Sequence, residues 1–298
     1  MKLREDSRIF KAGYITRSLL AAVALAAICV VGCGPKAPEL LEICPGKGSL
    51  GESLIVLRSR LENAAPFKAN GKCTARFYDP DKEKHRKESF DVRVWFDPPA
   101  NLLLHGDVAF NPRGIIVGSN AEEFWLAMKP KELGNRYYWG KWSETQGFGR
   151  LILNPHMLLE AFGVIDIGDV QKWALSNKGP MDVLTARDEA GKIVKKVYIY
   201  NCDYTVRKIE YFSDGKQPVA ILELGDYEST GPDASVPAAI NIVMVNNDRT
   251  RDSFKIKFSS LKHYEFNAEN RRKWFDPRSP KGFKHVYRVI GQDVFPQE

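Results

Sequence analysis

The chain has 298 residues, 44 % of them apolar and 27 % charged, enough for one large domain with a sizeable core. Its formal charge of +7 overstates its basicity: Lys2, Arg4, Arg8, Lys11 and Arg17 outweigh Glu5 and Asp6 in the first 32 residues, which hold +3 of that total and leave +4 for the rest. So mild an excess does not by itself call for a nucleic-acid partner.

Behind the basic start runs Leu19-Leu20-Ala21-Ala22-Val23-Ala24-Leu25-Ala26-Ala27-Ile28-Cys29-Val30-Val31-Gly32-Cys33. The run is shorter than the roughly 20 apolar residues of a membrane-spanning helix and has the form of an export signal. Val30-Val31-Gly32-Cys33 resembles the bacterial lipobox, with valine where leucine is commonest. That resemblance implies residues 1–32 as a cleaved signal peptide, a diacylglyceryl group on the Cys33 thiol, acylation of the new amine and a membrane anchor. Residue 34 is Gly, not the Asp that commonly marks retention at the inner membrane, so the expected location is the cell envelope, with the periplasmic face of the outer membrane favoured. Two or three acyl chains hold a protein to a membrane far more firmly than one.

With Cys29 removed and Cys33 acylated, Cys44, Cys73 and Cys202 remain, permitting one disulfide and one thiol in an exported chain. The spacing does not choose the pair. Residues 33–51, with Pro35, Pro38, Pro45 and several glycines, read as a tether. Within it Gly46-Lys47-Gly48-Ser49-Leu50-Gly51 matches G-x-G-x-x-G, but no parallel βαβ unit follows, and the stretch reads as a loop before a helix.

Leu54, Leu57 and Leu61 recur at helical spacing over residues 53–64. The period then falls to two. A short strand is expected at 73–78, then one at 89–97 in which Phe90, Val92, Val94 and Phe96 alternate with Asp91 and Arg93, closed by Pro98-Pro99. Leu102, Leu104, Val108 and Phe110 repeat the device before a turn at Asn111-Pro112-Arg113-Gly114. Strands follow at 115–118, 123–128 and 136–142. Asn154-Pro155 opens a second helix carrying Met157, Leu158, Leu159 and Phe162 and ended by Gly163. Six more strands are expected at 182–186, 192–201, 205–212, 218–227, 239–246 and 253–262, with Asp214-Gly215 as a hairpin turn and Phe254, Ile256 and Phe258 on one face of the last. The pattern is a mainly β, α+β domain over residues 52–266. Its eleven or so mostly antiparallel strands hide their apolar face by closing over a helix or by packing sheet on sheet.

Residues 96–104, and Asn120-Ala121-Glu122-Glu123-Phe124-Trp125-Leu126 leading to Pro130 and Gly134, resemble the LolA/LolB-like family of lipoprotein carriers and receptors. The likeness covers residues 53–162 well and the rest by strand rhythm. It implies a curved antiparallel half-barrel whose helices lid an apolar cavity for acyl chains or other lipoproteins. It also implies an exposed apolar residue on a loop between early strands, for which Ile115 or Ile116 stands at the corresponding turn. A concave apolar face needs no catalytic group to hold lipid, since each buried methylene contributes about 0.8 kcal/mol. Phe90, Val92, Val94, Phe96, Leu102, Leu104, Phe254, Ile256 and Phe258 are the expected lining, or, on the plainer reading, ordinary core.

No H-E-x-x-H, G-x-S-x-G or P-loop is present. His85, His105, His156, His263 and His285 are scattered, and no enzyme activity, metal or cofactor is expected. Residues 267–298 form a basic extension: Arg271-Arg272-Lys273-Trp274, then Lys281, Lys284, His285 and Arg288, interleaved with Phe275, Phe283 and Tyr287. Export argues against nucleic acid here and leaves a solvated tail, or a contact with anionic lipid head groups or a partner protein. A carrier of acyl chains is the leading expectation; its rival is a structural or assembly lipoprotein that docks a protein and binds no lipid.

Overall fold

A computed structural model describes residues 42–79, 83–108, 111–145, 154–165, 167–231, 234–245, 251–291 and 293–297. The chain separates into a unit ending at Glu42 and one running from Ile43, and the second contains all that is described below. Among the described residues no helix is long and apolar enough to cross a membrane.

Helix α1 (Leu50–Glu62) leads into six strands: β1 (Phe67–Asp79), β2 (Lys84–Asp97), β3 (Asn101–Val108), β4 (Asn111–Ser119), β5 (Glu123–Met128) and β6 (Arg136–Lys141). Helix α2 (Pro155–Ala161) follows, then β7 (Trp173–Lys178), β8 (Met181–Arg187), β9 (Ile193–Tyr200), β10 (Val206–Phe212), β11 (Pro218–Ser229), β12 (Ser235–Val245) and β13 (Arg251–His263). Helix α3 (Ala268–Phe275) and the hairpin β14 (His285–Ile290) and β15 (Asp293–Gln297) end the chain. The strands form one sheet in the order β15-β14-β6-β5-β4-β3-β2-β1-β13-β12-β11-β10-β9-β8-β7. Its pairs are antiparallel, except that β14 runs parallel to β6.

This order dictates where α2 lies. The first six strands meander from the middle of the sheet towards one edge, and the next seven start at the opposite edge and meander back until β13 pairs with β1, Ala75 opposite Phe254. The link from β6 to β7 must therefore span twelve strand spacings, roughly 58 Å on a flat sheet at about 4.8 Å each. It crosses the apolar face. Helix α2 touches β4 and β5 on one side and β11 and β12 on the other. β5 and β11 stand seven spacings apart, roughly 34 Å if flat, whereas a helix with its side chains is about 10–12 Å across. Both contacts exist because the open sheet curls around the helix, an α+β half-barrel.

Local sequence sets the helix ends. The Ser49 hydroxyl caps α1 by accepting from Glu52 N at 3.2 Å, while the Glu52 carboxylate accepts from Gly48 N at 3.0 Å. Asn154 caps α2 by accepting from His156 N at 2.9 Å, Pro155 occupies the first turn, and Gly163 ends the run at φ +96°.

Four expectations are corrected. Among the described residues fifteen strands stand where eleven or twelve were expected: β7 and β15 are short and largely polar, and β14 lies in the stretch read as a basic extension. Residues 44–49 are not a free tether: Cys44 is bonded to Cys202, Lys47 N donates to Asp182 Oδ2 at 2.9 Å, and Asn201 donates to the Cys44 carbonyl at 3.2 Å. A Cβ on Gly46 would come within 2.2 Å of the Asn177 side chain and 2.3 Å of that of Asp182, so a larger residue there would push those side chains aside. Asn111 to Gly114 begins β4 rather than forming a turn, which buries Ile115 and Ile116 on opposite faces of the sheet, each 4 % exposed, so neither is an exposed loop residue. The basic extension is not a loose tail: α3 packs on β3, and the final hairpin extends the sheet beyond β6.

The extension exists because strands β2 to β5 are apolar on both faces. Trp95, Leu103, Ile116, Trp125, Ala127 and Tyr137 form a second core on the convex side with Phe266 and Phe275. Trp274 stacks on Trp95 at 4.5 Å, the Arg271 guanidinium grips Asp97 at 2.7 and 3.3 Å, and Asn120 donates to the Phe275 carbonyl at 3.2 Å. His105 lies in this core, 2 % exposed and edge-on to Trp95 at 5.0 Å. Burial pushes its imidazole down to about 4, helped by Arg113, Arg278 and Arg93 and opposed by Asp107. The folded chain thus keeps His105 neutral over a range where the unfolded chain protonates it, and stability falls as pH drops from the ordinary value of 6.5 towards 4. Urea titrations should show the wild type losing about 3 kcal/mol over that range from this group, and the His105→Leu variant should lose that part of the slope.

Candidate functional site

The concave side holds one apolar core. Helix α1 contributes Leu54 and Leu57, and α2 with its C-terminal link contributes Met157, Leu158, Leu159, Phe162 and Ile165. Phe162 is the centrepiece: its ring lies 5.1 Å from Phe67, 5.3 Å from Phe96 and 6.3 Å from Phe258. All nine residues expected to line an acyl cavity face this core, Phe90, Val92, Val94 and Phe96 on β2, Leu102 and Leu104 on β3, Phe254, Ile256 and Phe258 on β13, and none is more than 8 % exposed. The alternation read from the sequence brings them together. In this structure Phe162 of the crossing segment packs on Phe96 and Phe258 among them. Phe110, and Cys33 with the lipobox, lie outside the described residues.

A charged cluster sits inside this apolar layer. Glu160 of α2 is fully buried, and its carboxylate accepts from Lys195 Nζ on β9 and from the Tyr211 hydroxyl on β10, with His156 Nδ1 at 3.9 Å. The Lys195 ammonium also stands 5.8 Å from the Trp173 ring and 5.9 Å from that of Tyr211. Burial raises the Glu160 carboxyl, but the Lys195 and His156 charges and the hydrogen bonds from Lys195 and Tyr211 outweigh it and hold the group below its ordinary 4.5. Burial and the Glu160 charge push the Tyr211 hydroxyl well above 10, so it stays a donor. The cluster ties α2 to the far wall of the half-barrel, a contribution present above about pH 4.5 and lost on acidification below it. Sequence reading passed over Glu160, although a lone carboxylate among Met157, Leu158, Leu159, Ala161 and Phe162 is the signal of a buried, paired charge.

Beside this cluster a crevice of about 50 Å³ opens between the end of α1, the link after α2 and the start of β12. Leu57, Phe96, Phe162, Ile165 and Val236 wall it, with Glu160 at one end. Arg60, Ala64, Ala65, Tyr227, Ala234 and Ser235 are its half-exposed residues, and Gly163 is exposed. On the opposite face a groove of about 590 Å³ runs over the β13 bulge, lined by Lys72, Asp91, Arg93, Asp107 and Lys257. Gly71, Val92, Phe258 and Ser259 line it as well, and apolar surface exceeds polar between the charged side chains.

Fold and site together define an open half-barrel whose own crossing segment fills its concave face. No protein-family model matches the chain, and no curated protein matches it in sequence. Among solved structures it is similar to a domain provisionally assigned as an outer membrane lipoprotein-sorting protein from Vibrio parahaemolyticus, at 12 % identity and TM-score 0.49 over 75 % of this chain and 95 % of that one. It is also similar to a LolA superfamily protein from Nitrosomonas europaea, at 12 % identity and TM-score 0.46 over 78 % of this chain and 99 % of that one. A DUF1329 family protein from Desulfovibrio piger stands at 13 % and 0.46 over 76 % and 97 %. Likenesses this distant are resemblances in outline, and no neighbour's ligand transfers on them.

Removing one partner of a buried pair costs more than replacing both. Lys195→Met should destabilise the protein by about 3–5 kcal/mol in urea denaturation, because Glu160 is left charged and unpaired, whereas Glu160→Leu combined with Lys195→Met should recover most of that loss. Equal destabilisation by the single and the double variant would refute the pairing as the source.

Proposed function

We propose that this chain is a lipid-anchored protein of the cell envelope whose half-barrel takes up an acyl chain, alone or as part of a lipoprotein, on the concave face that α2 and Phe162 now cover. The observation that carries this reading is the composition of the cover. The inner layer opposite the nine wall residues is not a second sheet but a seven-residue helix with its C-terminal link, and displacing Met157, Leu158 and Phe162 would bare a continuous apolar trough. An acyl chain in their place would bury the same wall at about 0.8 kcal/mol per methylene. The anchor at Cys33 and an outer-membrane location rest on the leader sequence. Together they put the trough beside the lipid it would exchange with.

One observation favours a second reading, a docking lipoprotein that binds no lipid. The 50 Å³ crevice is far below the roughly 300–1,000 Å³ of ordinary ligand sites, so the carrier reading requires the cover, α2 or the link that carries Phe162, to give way. Native mass spectrometry of detergent-free protein, with competition against a fluorescent acyl probe, separates the two: co-purified lipid or saturable probe displacement is expected, and the absence of both would leave the docking reading. For the anchor, Cys33→Ala should abolish metabolic labelling with palmitate and release the protein from membranes; label that persists would place the acylated residue elsewhere.

A further inference from the structure

The mouth of the concave crevice carries an imbalance of charge that the fold does not require. Arg60, on the last turn of α1, lines the crevice, and its guanidinium donates to the main-chain carbonyl of Asp203; among the described residues no carboxylate pairs with it. Arg207, on β10, is held between the rings of Tyr200 and Tyr227, 5.2 Å from each, and pairs with Asp203 Oδ2 at 2.8 Å. Its Nε is buried without a partner among the described residues. Both arginines bear on the Tyr227 hydroxyl, and Tyr227 itself lines the crevice. One guanidinium thus lines the apolar slot with no carboxylate of its own, and a second, paired with Asp203, stands against Tyr227 of its wall. The C-terminal dipole of α1 accounts for a cation at position 60, but not for a second one fixed beside it by two aromatic rings.

We infer that this mouth is the head-group site for an anionic amphiphile, Arg60 and Arg207 taking its carboxylate or phosphate while the chain runs inward past Phe162. The inference rests on the acyl-chain reading above and adds an orientation to it. Planar guanidinium forks match the two oxygens of such a head group, and rings that fix the Arg207 fork reduce the ordering cost of the contact. Inward of the arginines the wall is Leu57, Phe96, Phe162 and Val236, which suits methylenes. Glu160, the other ionised side chain of the lining, is already taken by Lys195 and Tyr211 and offers the head group no partner. Gly163, at φ +96° with no atom within 4 Å of where its Cβ would stand, lies on the rim at the point where the cover must give way.

The test is displacement of a fluorescent fatty-acid probe from the full chain by oleate, by oleyl alcohol and by inorganic phosphate. Oleate should displace the probe at about tenfold lower concentration than oleyl alcohol, the ratio expected for one charge-assisted contact, and phosphate alone should not displace it. Arg60→Gln should bring the ratio close to one with the alcohol unchanged, and Arg60→Lys should restore part of it. Arg207→Gln should act likewise in any preparation whose thermal melting matches the wild type. A wild-type ratio of one, displacement by phosphate alone, or an Arg60→Gln variant that weakens acid and alcohol equally would overturn the head-group site while leaving acyl binding in place. Displacement by neither amphiphile would overturn the acyl reading as well.

Discussion

Everything in this structure follows from one geometric obligation: the chain must travel from β6, near one edge of the sheet, to β7 at the other, and the shortest route lies over the apolar face. That face must in any case be covered, since leaving Phe67, Phe96, Phe258 and their neighbours in water would forfeit about 1.5–3 kcal/mol for each large side chain. The crossing segment meets both needs. Phe162 fills the centre of the curl, and the curl in turn brings β9 and β10 close enough for Lys195 and Tyr211 to reach Glu160. Curvature, plug and buried charge are one arrangement.

The convex side solves a second problem created by the first. Strands β2 to β5 carry Trp95, Leu103, Ile116 and Trp125 between residues that face the inner core, so they are buried on both faces, like the strands of a layered α/β protein. The chain after β13 supplies the outer layer. Phe266, Trp274 and Phe275 cover these side chains, Arg271 is tied to Asp97, Arg288 donates from Nη2 to both Glu144 oxygens at 2.8 Å, and Tyr287 stacks on Tyr138 at 4.9 Å. Two of the cations in the basic stretch are therefore paired with carboxylates of the body, Arg271 at the surface and Arg288 half-buried. Arg272, Lys273, Lys281 and Lys284 are left on its surface.

Much of the concave face was legible in the sequence because a period of two is a statement about which side chains share a face. Phe90, Val92, Val94 and Phe96, and Phe254, Ile256 and Phe258, declare their side without any knowledge of topology. Leu102-Leu103-Leu104 and Ile115-Ile116-Val117 lose the alternation because both faces are buried: Leu102 and Leu104 were assigned to the inner face, but Leu103, Ile116 and the rest of the outer core were missed. Asn154-Pro155 and Gly163 marked the ends of α2, yet nothing local says that α2 plugs the half-barrel. That follows from sheet order, which is a long-range property. The disulfide was open among three cysteines, since sequence separation does not determine proximity. Cys73 lies in the inner core, where burial pushes its thiol up to about 12 and removes it from thiolate chemistry. Arg60 and Arg207 look like ordinary surface cations until the fold places them on one rim.

The buried cluster also sets the scale of any opening. A ligand that swung α2 away from the wall entirely would separate Glu160 from Lys195 and leave charges without partners at a cost of about 3–5 kcal/mol. At about 0.8 kcal/mol per methylene newly buried, some four to six methylenes would be needed merely to offset that. A chain that slid past Phe162 while α2 kept its hold on Lys195 and Tyr211 would avoid the cost, because Glu160 and Phe162 sit on different faces of the same short segment, one turned to β9 and β10 and the other to β1, β2 and β13. Gly163 follows Phe162 directly, and the crevice opens beside it. The lower-cost route therefore begins at the crevice beside Gly163 rather than at the ion pair, and only a long chain would repay the other.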